Sequence, residues 1–131
     1  MNQALLNRFN IAFDLNFHGS QLKDYPHIAE YGRRIKALRE RYAAELWNAE
    51  FVERQGAQVS GPDLSYSVFA GRNGKRAVVV VNMGTERASK AEVTLPGASA
   101  MAYASPEDSA QKTFGGSVEI APQSAVVIFE K

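Results

Sequence analysis

Residues 64–82 read LSYSVFAGRNGKRAVVVVN. Leu64, Tyr66, Val68 and Ala70 alternate with Ser65, Ser67 and Phe69, and a period of two sends successive side chains to opposite faces of a strand. Asn73-Gly74 follows, a dipeptide whose residues both accept positive φ and which therefore predicts a tight hairpin. The returning arm, Arg76 to Asn82, contains Val78, Val79, Val80 and Val81 without a polar face, which suits a strand covered on both sides.

Downstream the same signals recur. AEVTLP (91–96) places Val93 and Leu95 on one face, SAMAYAS (99–105) follows, and SVEIA (117–121) and SAVVIFE (124–130) are joined by Pro122 and Gln123. From Ala57 onward, five to seven short strands with turns every eight to twelve residues predict an antiparallel sandwich over residues 51–131.

Upstream, the hydrophobic period changes near residue 50. Ile28, Tyr31, Ile35, Leu38, Tyr42 and Leu46 recur at spacings of three and four, predicting one long amphipathic helix from Pro26 to about Trp47 with that stripe buried. Asp24 or Tyr25 before Pro26 suits the helix start, because proline in the first turn lacks an amide hydrogen that would have no partner there. Glu30, Arg33, Arg34, Lys36, Arg39, Glu40, Arg41 and Glu45 fill most of the remaining helix surface and read as a solvated face, with Glu30 and Arg34 spaced for an ion pair.

Residues 1–25 are crowded with Leu5, Leu6, Phe9, Ile11, Phe13, Leu15 and Phe17. Their spacing is helix-like at the start and alternating from Phe9 to Phe17, where strand, irregular chain and helix all remain open. HGSQLKDYP (18–26) reads as a loop. The fold class is thus α+β: an N-terminal helical or irregular segment (1–50) with one long helix, then a mainly antiparallel β-sandwich (51–131).

Composition narrows the functional classes. The 131 residues are 45% hydrophobic, enough for a real core. Net charge is +1 and evenly spread, with seven basic and six acidic residues up to position 50 and eight of each beyond it. Nucleic-acid binding needs clustered positive charge and is not expected. Cysteine is absent, which removes disulfides, thiol catalysis and thiolate metal sites. No run approaches the roughly 18 apolar residues of a membrane span. MNQALLNRF lacks the pattern of a signal peptide, and the compartment stays open.

No catalytic constellation stands out. His18 and His27 have no companions at metal-ligand spacing, so neither a metal nor another cofactor is expected. No serine lies in a nucleophile motif. Glu107 and Asp108 are adjacent, whereas a glycosidase needs two carboxyls facing each other across a sugar. Trp47, Tyr66 and Tyr103 are candidate carbohydrate contacts, although Trp47 stands where helix meets sandwich and packing competes for it.

Two segments carry a resemblance. DYPHIAEYGRRIKALRERYAAELWNAEFVERQG (24–56) resembles the last helix of a (β/α)8-barrel glycoside hydrolase and its exit into the next domain. YSVFAGRNGKRAVVVVNMGTE (66–86) with SVEIAPQSAVVIFE (117–130) resembles the small C-terminal β-sandwich of α-amylase-like and related barrel glycosidases. The resemblance implies a C-terminal accessory piece whose catalytic carboxylates lie on barrel strands not on this chain. A barrel takes about 250 residues, and 131 cannot hold one. It further implies that Ile28, Tyr31, Ile35, Leu38 and Tyr42 meet the parent's barrel wall, the sandwich, or a second copy of the chain. The alternatives are a stand-alone carbohydrate-binding module and, less favoured, a small hydrolase working through His18 or through Glu107 and Asp108, with Asp14 as a further candidate.

Overall fold

The computed structural model describes residues 1–11 and 21–131. Two α-helices, α1 (Asn2–Leu6) and α2 (Pro26–Arg41), precede nine strands: β1 (Glu50–Phe51), β2 (Gln58–Ser60), β3 (Leu64–Ala70), β4 (Arg76–Asn82), β5 (Ser89–Thr94), β6 (Met101–Ala104), β7 (Lys112–Thr113), β8 (Ser117–Ile120) and β9 (Ala125–Glu130). One sheet runs β1-β3-β4-β9-β6-β7 and the other β2-β5-β8, with antiparallel pairings throughout. The expected α+β class with a β-sandwich is what the chain adopts.

The valine run explains the layering. β4 lies between β3 and β9, and Val78 to Val81 are all at most 1% exposed. Val78 and Val80 pack with Ala91, Val93 and Ile120 of the three-stranded sheet. Val79 and Val81 turn the other way, into a cluster with Leu5, Leu6, Ile35, Leu38 and Leu46 of the helical segment. Two faces need two covers, so the molecule has three layers: helices, six-stranded sheet, three-stranded sheet. Residues on both sides of position 50 build one of its two cores.

This packing corrects the helix reading in three places. First, the stripe is only partly buried: Ile35 and Leu38 are fully buried against this chain's own sheet, one of the covers expected for them, and Tyr31 and Tyr42 are half-buried on the same cluster. Ile28, expected in the buried stripe, is 45% exposed. Second, the helix ends at Arg41, short of Trp47. Tyr42 leaves the helical conformation (φ −117°, ψ 43°) as its ring meets Phe129 at 4.5 Å and its hydroxyl donates to the Ser109 carbonyl at 2.6 Å. The chain continues in turns that still deliver Leu46 to the core, so tertiary contacts override local propensity. Third, Arg39 is buried instead of solvated: its guanidinium donates to the carbonyls of Ala4 and, at 2.9 Å, Phe9, tying α2 to the end of α1. Burial draws its pKa below the usual guanidinium value.

Other local readings resolve similarly. Tyr25 is the residue before the helix and Pro26 its first, while the Asp24 carboxylate accepts from the Gln21 amide at 2.7 Å within a short 3-10 turn, Leu22–Asp24. The Glu30–Arg34 pair forms at 3.1 Å. The β3–β4 connection spans Gly71 to Lys75, because Ala70 pairs with Arg76. Only Gly74 adopts positive φ (+78°), and Asn73 instead accepts from the Lys75 amide through its side chain at 3.1 Å. The alternation from Phe13 to Phe17 falls outside the described residues.

Polar side chains lock the sandwich. Asn82, fully buried at the end of β4, donates to the carbonyls of Arg87 (2.9 Å) and Ile120 (3.0 Å) and accepts from the Gly84 amide (2.9 Å), joining the two sheets. Arg76 grips the Glu130 carboxylate (2.8 and 3.0 Å) across β4 and β9, and also donates to the carbonyls of Gly56 and Pro96.

Candidate functional site

Beyond Arg41 the chain turns toward the sheet and carries Trp47, Asn48 and Ala49 into Glu50 of β1. Glu50 pairs with Ala70 at the end of β3, which brings Gly71 and Arg72 of the following hairpin beside Trp47. The hairpin is held there by close approach. A Cβ on Gly71 would lie 2.6 Å from Asn73 Oδ1 and 3.3 Å from the Ala44 carbonyl, and Asn73 Nδ2 donates to the Glu45 carboxylate at 3.1 Å. Arg8, in a left-handed conformation (φ 56°) after α1, reaches across to the Ala49 carbonyl.

These segments enclose an open cleft of about 830 Å3 lined by Arg8, Trp47, Asn48, Ala49, Glu50, Ala70, Gly71 and Arg72. Trp47 is 44% exposed, with the Arg39 guanidinium 5.2 Å from its ring centroid. The side chains of Asn48, Glu50 and Arg72 are exposed, and none has a hydrogen-bond or ion-pair partner among the described residues. The cleft thus offers an indole surface beside an amide, a carboxylate and a guanidinium, all free to bond a ligand.

Trp47 also borders a second hollow of about 500 Å3, more apolar, lined by α2 together with Asn10, Ile11 and Leu22. Ile11, Leu22, Ala29 and Gly32 form its floor and walls. Phe9 (60% exposed), Tyr25 (43%) and Ile28 (45%) leave the nearby helical layer apolar on its outside.

The three aromatic candidates do not converge. Tyr66 is half-buried on β3, its ring under the Arg54 guanidinium at 5.3 Å and packed toward the three-stranded sheet. Tyr103 is half-buried on β6, edge-on to Phe114 at 6.3 Å. β4 and β9 lie between them, a separation of roughly 14 Å at the usual strand spacing, and Trp47 stands with the helical layer. Only Trp47 lies in a cleft with open polar groups. Its neighbours there, Arg8, Asn48, Glu50 and Arg72, carried no local signal, because they come from three separate segments that only the tertiary fold assembles.

Among the described residues the catalytic alternatives find no assembled site. His18 and Asp14 fall outside the described residues. Glu107 and Asp108 are exposed, and Asp108 shapes a turn, bonding Lys112 at 2.9 Å and accepting from the Ala110 amide at 3.0 Å. The Lys112 ammonium holds its carboxyl below the usual range, the opposite of what a general acid needs at neutral pH. Among the described residues no group of three His, Cys, Asp or Glu side chains is placed to hold a metal, and no helix is long and apolar enough to cross a membrane. No family model and no curated protein matches the chain.

Proposed function

We infer that this chain is a non-catalytic accessory β-sandwich of a glycoside hydrolase, whose helical layer docks on a (β/α)8 catalytic barrel. The observation that carries this reading is the outer face of that layer. Phe9, Leu22, Tyr25 and Ile28 are each at least 36% exposed, and Leu22 lines the hollow along α2, whereas Phe51 and Met83 are the only large hydrophobic side chains so exposed beyond residue 50 among those described. Covering side chains of that size removes up to about 1.5–3 kcal/mol of hydration penalty each, enough together to hold two domains in register. The sheet side of the same layer is already filled by Ile35, Leu38 and Leu46, so these exposed apolar groups find no cover in the chain's own sheet. The resemblance of residues 24–56 and of the valine strand to the tail of barrel glycosidases identifies the second body.

The test is the encoding locus together with the purified chain. A barrel-coding sequence is expected in the same or the adjoining reading frame, its product co-purifying with this unit, while the 131-residue chain alone hydrolyses no aryl glycoside. A locus without a barrel refutes the reading, and so does turnover by the isolated chain.

A further inference from the structure

We propose that the cleft around Trp47 is a binding site for a neutral oligosaccharide, with one pyranose ring stacked on the indole and its hydroxyls held by Asn48, Glu50 and Arg72. The chemistry of the lining selects this class. A pyranose presents a face of C–H groups and a rim of hydroxyls, each both donor and acceptor. An exposed indole matches the first, because tryptophan offers large apolar area at small entropic cost, and a guanidinium, a carboxylate and an amide match the second. All three polar groups are unengaged by described residues, so binding a sugar breaks no internal bond. Arg8 is spent on the Ala49 carbonyl and stiffens the cleft wall. Arg39, against the ring and anchored to the carbonyls of Ala4 in α1 and Phe9 just after it, steadies the indole.

Other ligands fit less well. The Glu50 carboxylate opposes a phosphate or a uronate and offsets the charge of Arg72, and the one guanidinium left over in the lining, Arg8, is turned to the Ala49 carbonyl. An apolar peptide would strand the three polar groups. The volume, about 830 Å3, falls within the roughly 300–1,000 Å3 usual for small-molecule sites. This site does not rest on the accessory reading: a chain whose locus encodes no barrel still binds the sugar.

Trp47 is the sole tryptophan in the sequence, so its fluorescence reports on the two hollows that it borders, and variants of Asn48 and Arg72, which line only this cleft, tell them apart. The full chain is titrated with maltohexaose, cellohexaose, xylohexaose and mannohexaose. A saturable change in emission is expected with at least one of them. Arg72→Ala and Asn48→Ala should each weaken that binding about tenfold, as loss of one strong hydrogen bond does, without moving the unfolding midpoint. Trp47→Ala should abolish the heat of binding in calorimetry. Silence toward all of the neutral sugars while acrylamide quenches Trp47 overturns the proposal. So does a response confined to oligogalacturonate, titrated in parallel as an acidic sugar, or undiminished binding by the Arg72 and Asn48 variants.

Discussion

Asn82→Asp separates hydrogen-bond donation from shape at the junction of the two sheets. The two side chains are isosteric, but the Asn82 amide gives hydrogens to the carbonyls of Arg87 and Ile120, and a carboxylate has none to give. Its remaining oxygen contact, with the Gly84 amide, survives. Two buried carbonyls lose their partner and face a negative oxygen, at about 1–3 kcal/mol each, so the variant should lose about 2–6 kcal/mol at neutral pH. Against a total of about 5–15 kcal/mol that is a large fraction. Burial without cationic neighbours raises the folded-state pKa of the new carboxyl above its unfolded value of about 3.9. A raised folded pKa means that the protonated form is favoured in the fold. The deficit is therefore smallest near pH 4, where one donor is restored, and grows as pH rises, by at most about 1.4 kcal/mol per unit until the folded pKa is passed. Asn82→Ala removes the same donors and should show a deficit that adds no pH dependence. Urea unfolding of both variants between about pH 4 and 8 measures this directly. A gap between Asn82→Asp and the parent that is flat with pH, or smaller than about 1 kcal/mol at pH 8, would refute the role assigned to those two bonds.

Glu130→Gln should cost about 1–3 kcal/mol at pH 7 by loosening the grip of Arg76. The Arg76 hydrogen bond holds the Glu130 pKa below its usual value, so the parent's advantage is present above the unfolded pKa of about 4.3 and fades as pH falls through the lower folded value, which paired urea titrations will show. Val79→Ala and Val80→Ala should each destabilise by about 2 kcal/mol, since each deletes two buried methyl groups on opposite faces of β4. A near-neutral Val79→Ala in the same unfolding assay would mean that the helical layer is not docked on the sheet. Gly61→Ala should cost about 3 kcal/mol or more, because φ is +143° and the new Cβ would lie 2.4 Å from the Lys90 carbonyl. Gly74→Ala, with φ +78° and open space around it, should cost only about 1–2 kcal/mol, and comparing their thermal midpoints checks the contrast.

Periodicity carried well where a strand or helix is covered by whatever lies beside it. The run Val78 to Val81 announces two covered faces without saying what covers them, and the alternation of Leu64, Tyr66 and Val68 names the face that meets the three-stranded sheet. The end of α2 was less legible. Tyr42 to Trp47 keep a helical spacing, yet the pull of Phe129 and Ser109 on Tyr42 opens the last turn. Arg39 misled for a related reason: charge in a helix stripe usually means solvent, and only the carbonyls at the end of α1 give a buried guanidinium its partners. Trp47 was visible as a candidate. Asn48, Glu50 and Arg72 were not, since no spacing rule links the exit of a helix to the tip of a later hairpin.

The sequence by itself determined the α+β class, the antiparallel sandwich and the lack of cysteine chemistry on these residues, because each follows from local period, turn residues or composition. Only the tertiary structure decided that α2 is covered by the chain's own six-stranded sheet, that Ile28 stays outside while Ile35 and Leu38 go in, and that three distant segments meet around one indole. The physical reason is that hydrophobic burial has no direction of its own. An apolar stripe states that it must be covered, and the geometry of the whole fold selects the cover.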